Sequence, residues 1–407
     1  MIKISHSPNI INNKLCICKN KLKKKINFGN LPLINNYRPK INLKKYPVVI
    51  SQCEKCLLIQ LKYSISDKLL FPSNYSYLSG NSKEKLSNFE SIIKKIKNFS
   101  KKNNPKILDI GSNDGSFLHL AKKNFSNILG VEPTNSANVA IKNNINIIKK
   151  PLNLKLAKKI LKNFSRFDFI IATNMLAQTN SLDEILKSVK LLLNKNGLLI
   201  AEVQYLYDLL KQKGFDSFHP EHIQYYTLSS IIKVLENYGL YVFDADRLSV
   251  HGGILRVYVS SYKKPLKKNL KKILRNENDK KVFNQIKALN IFRKQFNIKI
   301  KKFLTKLKNN NKLIYGIGAA PRSCVLLNSS NITSNEINLI GEVPQSLKCN
   351  KYVPGTDIIV KNENKIIEDK PDYLLILAWH LQKQIIKIFL KKGYKGNFIV
   401  PLPNLKV

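Results

Sequence analysis

The chain has 407 residues, 43% of them hydrophobic, which is enough to bury two or three cores and excludes a disordered protein. Its formal net charge is +44, but the lysines accompany asparagine and isoleucine in every segment, whereas nucleic-acid binding needs a clustered basic footprint. The longest apolar runs, such as Tyr373 to Trp379, are too short to span a bilayer, and the opening residues lack the basic and apolar regions of an export signal. A cytoplasmic protein with no membrane or nucleic-acid partner is expected.

Residues 1–70 hold Cys16, Cys18, Cys53 and Cys56 between strand-like pieces, "YPVVISQC" and "LLIQL". Close cysteine pairs without an export signal point to metal binding rather than disulfides. Four thiolates suit a structural, tetrahedral zinc, which would help fold a module with little core of its own. Cys53 and Cys56 have the usual C-x2-C spacing, and Cys16 and Cys18 are one residue tighter.

Over residues 71–262 strand-length apolar runs alternate with helical ones: a basic helix from Lys85, "KILDIG", a helix from Ser116, "NILGVEP", "FDFIIATNML", a helix from Leu182, and "GLLIAEV". This alternation predicts a doubly wound α/β sheet. Residues 263–310 are Lys-rich with apolar positions at helical spacing, which predicts a helical connector. The alternation restarts over 311–407 with "KLIYGIGAAPRSCVLLN", "INLIGEV", "DYLLILAW" and "GNFIVPLP", a second α/β unit loosely like the first.

The first chemical signal is Asp109-Ile110-Gly111-Ser112-Asn113-Asp114-Gly115, directly after an apolar strand and before a helix. Glycines at such a turn let backbone approach a ligand, and a helix N-terminus favours the ligand's negative group, which in S-adenosylmethionine is the carboxylate. The following strand ends at Glu132 and Pro133, where a carboxylate can accept ribose hydroxyls. The G-x-G-x-x-G of dehydrogenases is absent from this turn.

The second signal is "FDSFHPEHIQYYT", which places Glu221 between His219 and His222. A histidine beside a carboxylate is suited to general-base chemistry. Metal ligation and a plain hydrogen-bonded core role are the competing readings, although the spacing is not the helical H-E-x-x-H of a zinc site.

In order along the chain, the cysteine pairs, "NYSYLSGNS", "LDIGSNDGSFL", "NMLAQTNSLDEI", "FHPEHIQYYTLSSIIKVLENYGL", "VHGGILRVYV", "GIGAAPRSCVLLN", "YVPGT" and "PDYLLILAWHL" resemble the nucleotide-deoxysugar C-methyltransferases. The resemblance implies a Rossmann-like class I methyltransferase core, a small N-terminal β-rich zinc-binding module and a C-terminal α/β domain. It implies S-adenosylmethionine as cofactor and a nucleotide-linked 4-keto-deoxysugar, dTDP-type, as substrate. Deprotonation next to the keto group would give an enolate that takes the methyl group.

By the same resemblance His222 is the base, assisted by Glu221, His219 and Gln178, and Tyr75 or Tyr77 reaches the sugar. Asn174, Met175 and Leu176 join the glycine turn around the cofactor. His251, Gly252 and Gly253, with Gly316, Gly318, Tyr352 and Gly355, face the nucleotide sugar. The chain departs from the family pattern at Gln178, where a histidine is common, and at His219-Pro220, where Tyr and His are usual. Methylation of oxygen or nitrogen on another acceptor, a catalytically impaired homologue, and a basic RNA-binding protein are the alternative readings.

Overall fold

The computed structural model describes residues 9–72 and 77–407. At the front, antiparallel strands Leu22–Leu31, Tyr46–Cys53 and Ile59–Leu61 form a small sheet. Tyr46–Cys53 is its middle strand and is buried along its whole length. The fourth strand comes from far along the chain: Gln224–Tyr225 pairs antiparallel with Ile59–Leu61, Gln224 opposite Gln60.

The central sheet has seven strands, β1 (Ile107–Ile110), β2 (Ile128–Val131), β3 (Ile147–Ile148), β4 (Phe167–Thr173), β5 (Leu193–Gln204), β6 (Tyr241–Leu248) and β7 (Ile254–Ser260). Their spatial order is β6-β7-β5-β4-β1-β2-β3, with β7 antiparallel to both of its neighbours. β1, "ILDI", is buried at every position, as a parallel strand covered on both faces must be. Helix Lys83–Phe99 covers one face through Phe89, Ile92, Ile93 and Ile96, a helical i, i+3, i+4, i+7 stripe, and Ser82 caps it by accepting from Lys85 N. This is the sheet expected of the methyltransferase core.

Beneath that helix lies an ion pair with almost no exposure. Arg256 Nε on β7 donates to Glu202 on β5 at 2.7 Å, and the two residues face each other in register. Asn88 and Ser91 of the helix satisfy the remaining polar atoms, Asn88 Nδ2 donating to Glu202 and Arg256 Nη2 donating to both residues.

Helices Lys268–Arg275 and Asp279–Asn309 lead into the tail. The longer one lies against both ends of the molecule: Asn290 Nδ2 donates to Asn27 O, Asn297 Nδ2 donates to Ser329 O, and Phe283, Ile286 and Ile300 join the core that holds Phe28 and Cys324. The tail is a five-stranded parallel sheet of β8 (Ile314–Ile317), β9 (Leu339–Glu342), β10 (Ile359–Asn362), β11 (Tyr373–Ile376) and β12 (Asn397–Ile399), ordered β10-β9-β8-β11-β12. Among the described residues no helix is long and apolar enough to cross a membrane.

Candidate active site

The residues singled out in the middle domain gather at the carboxyl ends of β1, β2, β4 and β5, the edge where open α/β sheets bind ligands. Gly111 takes φ +71°, and a side chain there would press on Met175, the Cβ atoms being 3.2 Å apart. Glu132 is buried, one oxygen accepting from Asn113 N at 3.0 Å and the other from Thr134 N at 2.9 Å. Asp114 accepts from Ser116 N and Ser116 Oγ, so the chain's own carboxylate caps the helix that follows the turn. Burial first, then the charge of Glu132, holds the Asp109 carboxyl well above its ordinary range.

A connection not legible in the sequence joins this turn to the aromatic segment before it. Asn113 Nδ2 donates to Tyr77 O at 3.0 Å, Ser79 N donates to Asn113 Oδ1 at 2.9 Å, and Gly80 N donates to Asp114 Oδ2 at 2.8 Å. Tyr77 is thereby fixed beside the turn, and its hydroxyl accepts from Lys85 Nζ at 3.3 Å. Tyr75 lies outside the described residues.

The segment after β4 links the turn to the histidine run. Asn174 takes φ +58° and its N–H donates to Glu202 O, Met175 packs on Gly111, and Leu176 O accepts from Tyr226 Oη. Ala177 O accepts from both Ile223 N and Gln224 N, and this places half-buried Gln178 beside the run; Pro133 is exposed. The His222 ring packs against Tyr225 at a tilt of 55° with centroids 4.3 Å apart, and its buried Nδ1 has no hydrogen-bond partner. Burial chiefly, and His219 secondarily, hold its pKa well below the ordinary 6.5, so the imidazole is neutral and able to accept a proton at neutral pH.

Glu221 faces the front module. Ile34 N donates to Oε2 at 2.9 Å and Asn35 N to Oε1 at 3.2 Å, while His219 Nδ1 stands 3.6 Å from Oε2. Just upstream, fully buried Asp216 reaches the tail, accepting from Arg322 Nη2 at 2.6 Å and Trp379 Nε1 at 2.7 Å. The run from Asp216 to Tyr225 therefore touches all three parts of the molecule. Ile34, Asn35, Asp216, Arg322 and Trp379 were not singled out from sequence, since no local pattern marks pairings more than 100 residues apart.

The H-G-G turn sits over the same junction. Gly252 and Gly253 take φ +83° and +119°, and a Cβ on Gly253 would collide with Asp208, while one on Gly252 would come within 3.2 Å of Arg322 Nη1. In the tail, Gly316 lies within β8 and Gly318 in the turn after it, and Cβ atoms there would stand 2.8 Å from Leu377 and Ala378 respectively. Tyr352 N donates to Arg38 O and Gly355 N to Asn42 O, on the front module, where the neighbouring Tyr37 hydroxyl donates to Ala319 O beside the turn.

The four front cysteines converge. Their sulfurs all lie within 4.8 Å of one another, with Cys16 and Cys56 3.5 Å apart and Cys18 and Cys53 3.4 Å apart. Tetrahedral zinc with bonds of about 2.3 Å separates its sulfurs by about 3.8 Å, so the cluster fits such an ion. A hydrogen bond from Cys16 is the main reason that Cys56 falls to about 6, while burial raises Cys53 to about 11. The tight Cys16-Ile17-Cys18 spacing does not prevent closure, because residues 17–19 turn sharply, with Lys19 N donating to Cys16 O and Lys19 at φ +63°.

Residues 85–245 match the family model of a methyltransferase domain, and residues 249–403 match that of the C-methyltransferase C-terminal domain. The chain is 25% identical to C-methyltransferase NovU of Streptomyces niveus over 395 residues, covering 94% of this chain and 93% of that protein. The chain is an S-adenosylmethionine-dependent methyltransferase that carries a C-methyltransferase C-terminal domain. Two solved methyltransferases are also similar. One, the 1,6-didemethyltoxoflavin N1-methyltransferase of Burkholderia thailandensis, is 13% identical over 44% of this chain and 78% of its own, TM-score 0.34. The other, an S-adenosylmethionine-dependent methyltransferase of Clostridium acetobutylicum, is 16% identical over 45% of this chain and 94% of its own, TM-score 0.35. In this methyltransferase the matched domains carry the glycine turn, Glu132 and the histidine run within the first model and the H-G-G turn and tail within the second.

Proposed function

We propose that the enzyme methylates carbon on a nucleotide-linked 4-keto-deoxysugar, with His222 as the base. The observation that carries this reading is a buried, neutral imidazole with an unpartnered nitrogen, joined to the glycine turn through the short segment Asn174–Gln178. S-adenosylmethionine supplies the methyl group when bound. Gly111, Ser112, Asn113, Asp114 and Gly115 form its cradle, with Asp109 buried beneath, Pro133, Met175 and Leu176 at its margins, and Glu132 accepting its ribose hydroxyls.

A proton on carbon is acidic enough to remove only next to a carbonyl, so the base must stand over that carbon and a donor must meet the developing oxyanion. His222 takes the proton, and the Gln178 amide and Tyr77 hydroxyl are suited to donate to the oxyanion. Glu221 and His219 hold the run in place. The nucleotide would lie between the middle domain and the tail, beside the H-G-G turn and the turn at Gly318. Zinc bound by Cys16, Cys18, Cys53 and Cys56 would stabilise the sheet that contributes the run.

The decisive experiment omits the cofactor. In D2O, with a panel of nucleotide-linked 4-keto-deoxysugars, the wild-type enzyme should exchange the proton beside the keto group, and His222→Ala should not. With S-adenosylmethionine added, mass spectrometry should find the new methyl group on that carbon. Methylation without exchange, or on oxygen or nitrogen, would overturn the reading.

A further inference from the structure

The tail domain repeats the frame in which the middle domain holds Glu132, with the turn donor and the strand-end donor each one residue nearer. In the middle domain Gly111 N donates to Val131 O at 2.8 Å, and the next residue, Glu132, takes Asn113 N from the turn and Thr134 N from its own strand end. In the tail Gly318, at φ +90°, donates its N–H to Gly341 O at 3.0 Å. The next residue, Glu342, takes Ala319 N from the turn at 2.9 Å and Val343 N from its own strand end at 3.0 Å. Each carboxylate ends the second strand of a sheet whose first strand carries the glycine turn, the place from which such a group reaches ribose hydroxyls.

A cation stands beside this second frame. Lys348 Nζ donates to Ala319 O at 2.7 Å and lies 5.1 Å from the centre of the Tyr37 ring, and it makes no ion pair among the described residues. Burial lowers its pKa although the charge of Glu342 works the other way, and a phosphate oxygen there would add a second counter-charge.

We propose that Glu342 grips both ribose hydroxyls of the acceptor's nucleoside, so that the carrier is a ribonucleoside diphosphate rather than a 2′-deoxy one. This rests on the reading that the enzyme acts on a nucleotide-linked sugar, and it departs from the dTDP-type carrier that the resemblance implies.

Isothermal titration of the full chain, with S-adenosylhomocysteine saturating the cofactor site, tests it using UDP, CDP, GDP and ADP, their 2′-deoxy counterparts, and dTDP. At least one ribonucleoside diphosphate should bind about ten-fold tighter than its deoxy form. Glu342→Gln should remove most of that preference while leaving affinity for S-adenosylhomocysteine unchanged. Equal binding of ribo and deoxy forms by the wild type, or a preference that survives Glu342→Gln, overturns the assignment and leaves the nucleotide reading standing. Absence of binding by every diphosphate, with S-adenosylhomocysteine bound normally, overturns both. Should the variant lose S-adenosylhomocysteine as well, the wild-type ratio alone decides.

Discussion

His222, the base proposed above, is enclosed, and its enclosure keeps it uncharged. A histidine whose pKa is lowered stays neutral until the pH falls below that lowered value. The acid limb of kcat against pH should therefore lie below 6.5, the ordinary histidine value, and a limb at or above 6.5 would show that another group is titrating. The same sign applies to stability, since the unfolded chain takes up this proton from about pH 6.5 downward while the folded one does not, so stability falls as acid is added. His222→Ala should lower turnover by about 10² to 10⁴, measured with saturating cofactor. Elsewhere in the core, Arg256→Ala would leave Glu202 buried with its charge unmatched, at a cost of about 3–5 kcal/mol by urea unfolding. Residues of this kind differ in how openly a sequence declares them. Glu132 stands out because it follows a strand at a fixed distance from a glycine turn, whereas the partners of Glu221, Ile34 N and Asn35 N, are backbone groups that any residue type would supply.

Among the elements, the short strand Gln224–Tyr225 matters more than its length suggests. It begins two residues after His222 and is hydrogen-bonded into the sheet that carries Cys53, with Leu61 N donating to Ile223 O at 2.9 Å. Metal bound by the cysteines would act on His222 through that sheet. Purified protein should contain one zinc per chain. Its removal by a chelator, or Cys53→Ser, should speed hydrogen exchange at Leu61 and lower the melting temperature; unchanged exchange at Leu61 would mean that the sheet holds its edge without metal. Strands β1, β2, β4, β5, β8, β9, β11 and β12 were readable as apolar runs between helical patterns, whereas β3, β6, β7 and β10 were not singled out; the Lys-rich stretch was readable as helical, and its stripe from Val282 to Leu304 is buried. The pairing of residue 224 with residue 60 was not, because a two-residue strand has no periodicity and its partner is fixed by tertiary closure.

At the scale of the whole molecule the formal charge of +44 is the dominant fact of composition, and the fold leaves most of it in solvent, with ion pairs such as Lys102–Asp168 scattered over the surface. Like charge at that density opposes compaction, and salt screens it within about 8 Å at physiological ionic strength. Raising salt from about 20 mM to about 300 mM should therefore raise the melting temperature, and a fall would indicate that the exposed pairs outweigh the repulsion. Asp216 ties the middle domain to the tail, so Asp216→Asn should loosen the tail and raise KM for the methyl acceptor more than it changes cofactor affinity. The joint between the front sheet and residues 224–225 has a further consequence during synthesis. A ribosome adds roughly 5–20 residues per second, so the edge at Ile59–Leu61 waits on the order of 10–30 s before its partner strand emerges. For that interval a nascent chain exposes an unpaired strand edge to its neighbours, and the cell must shield it or work at low concentration.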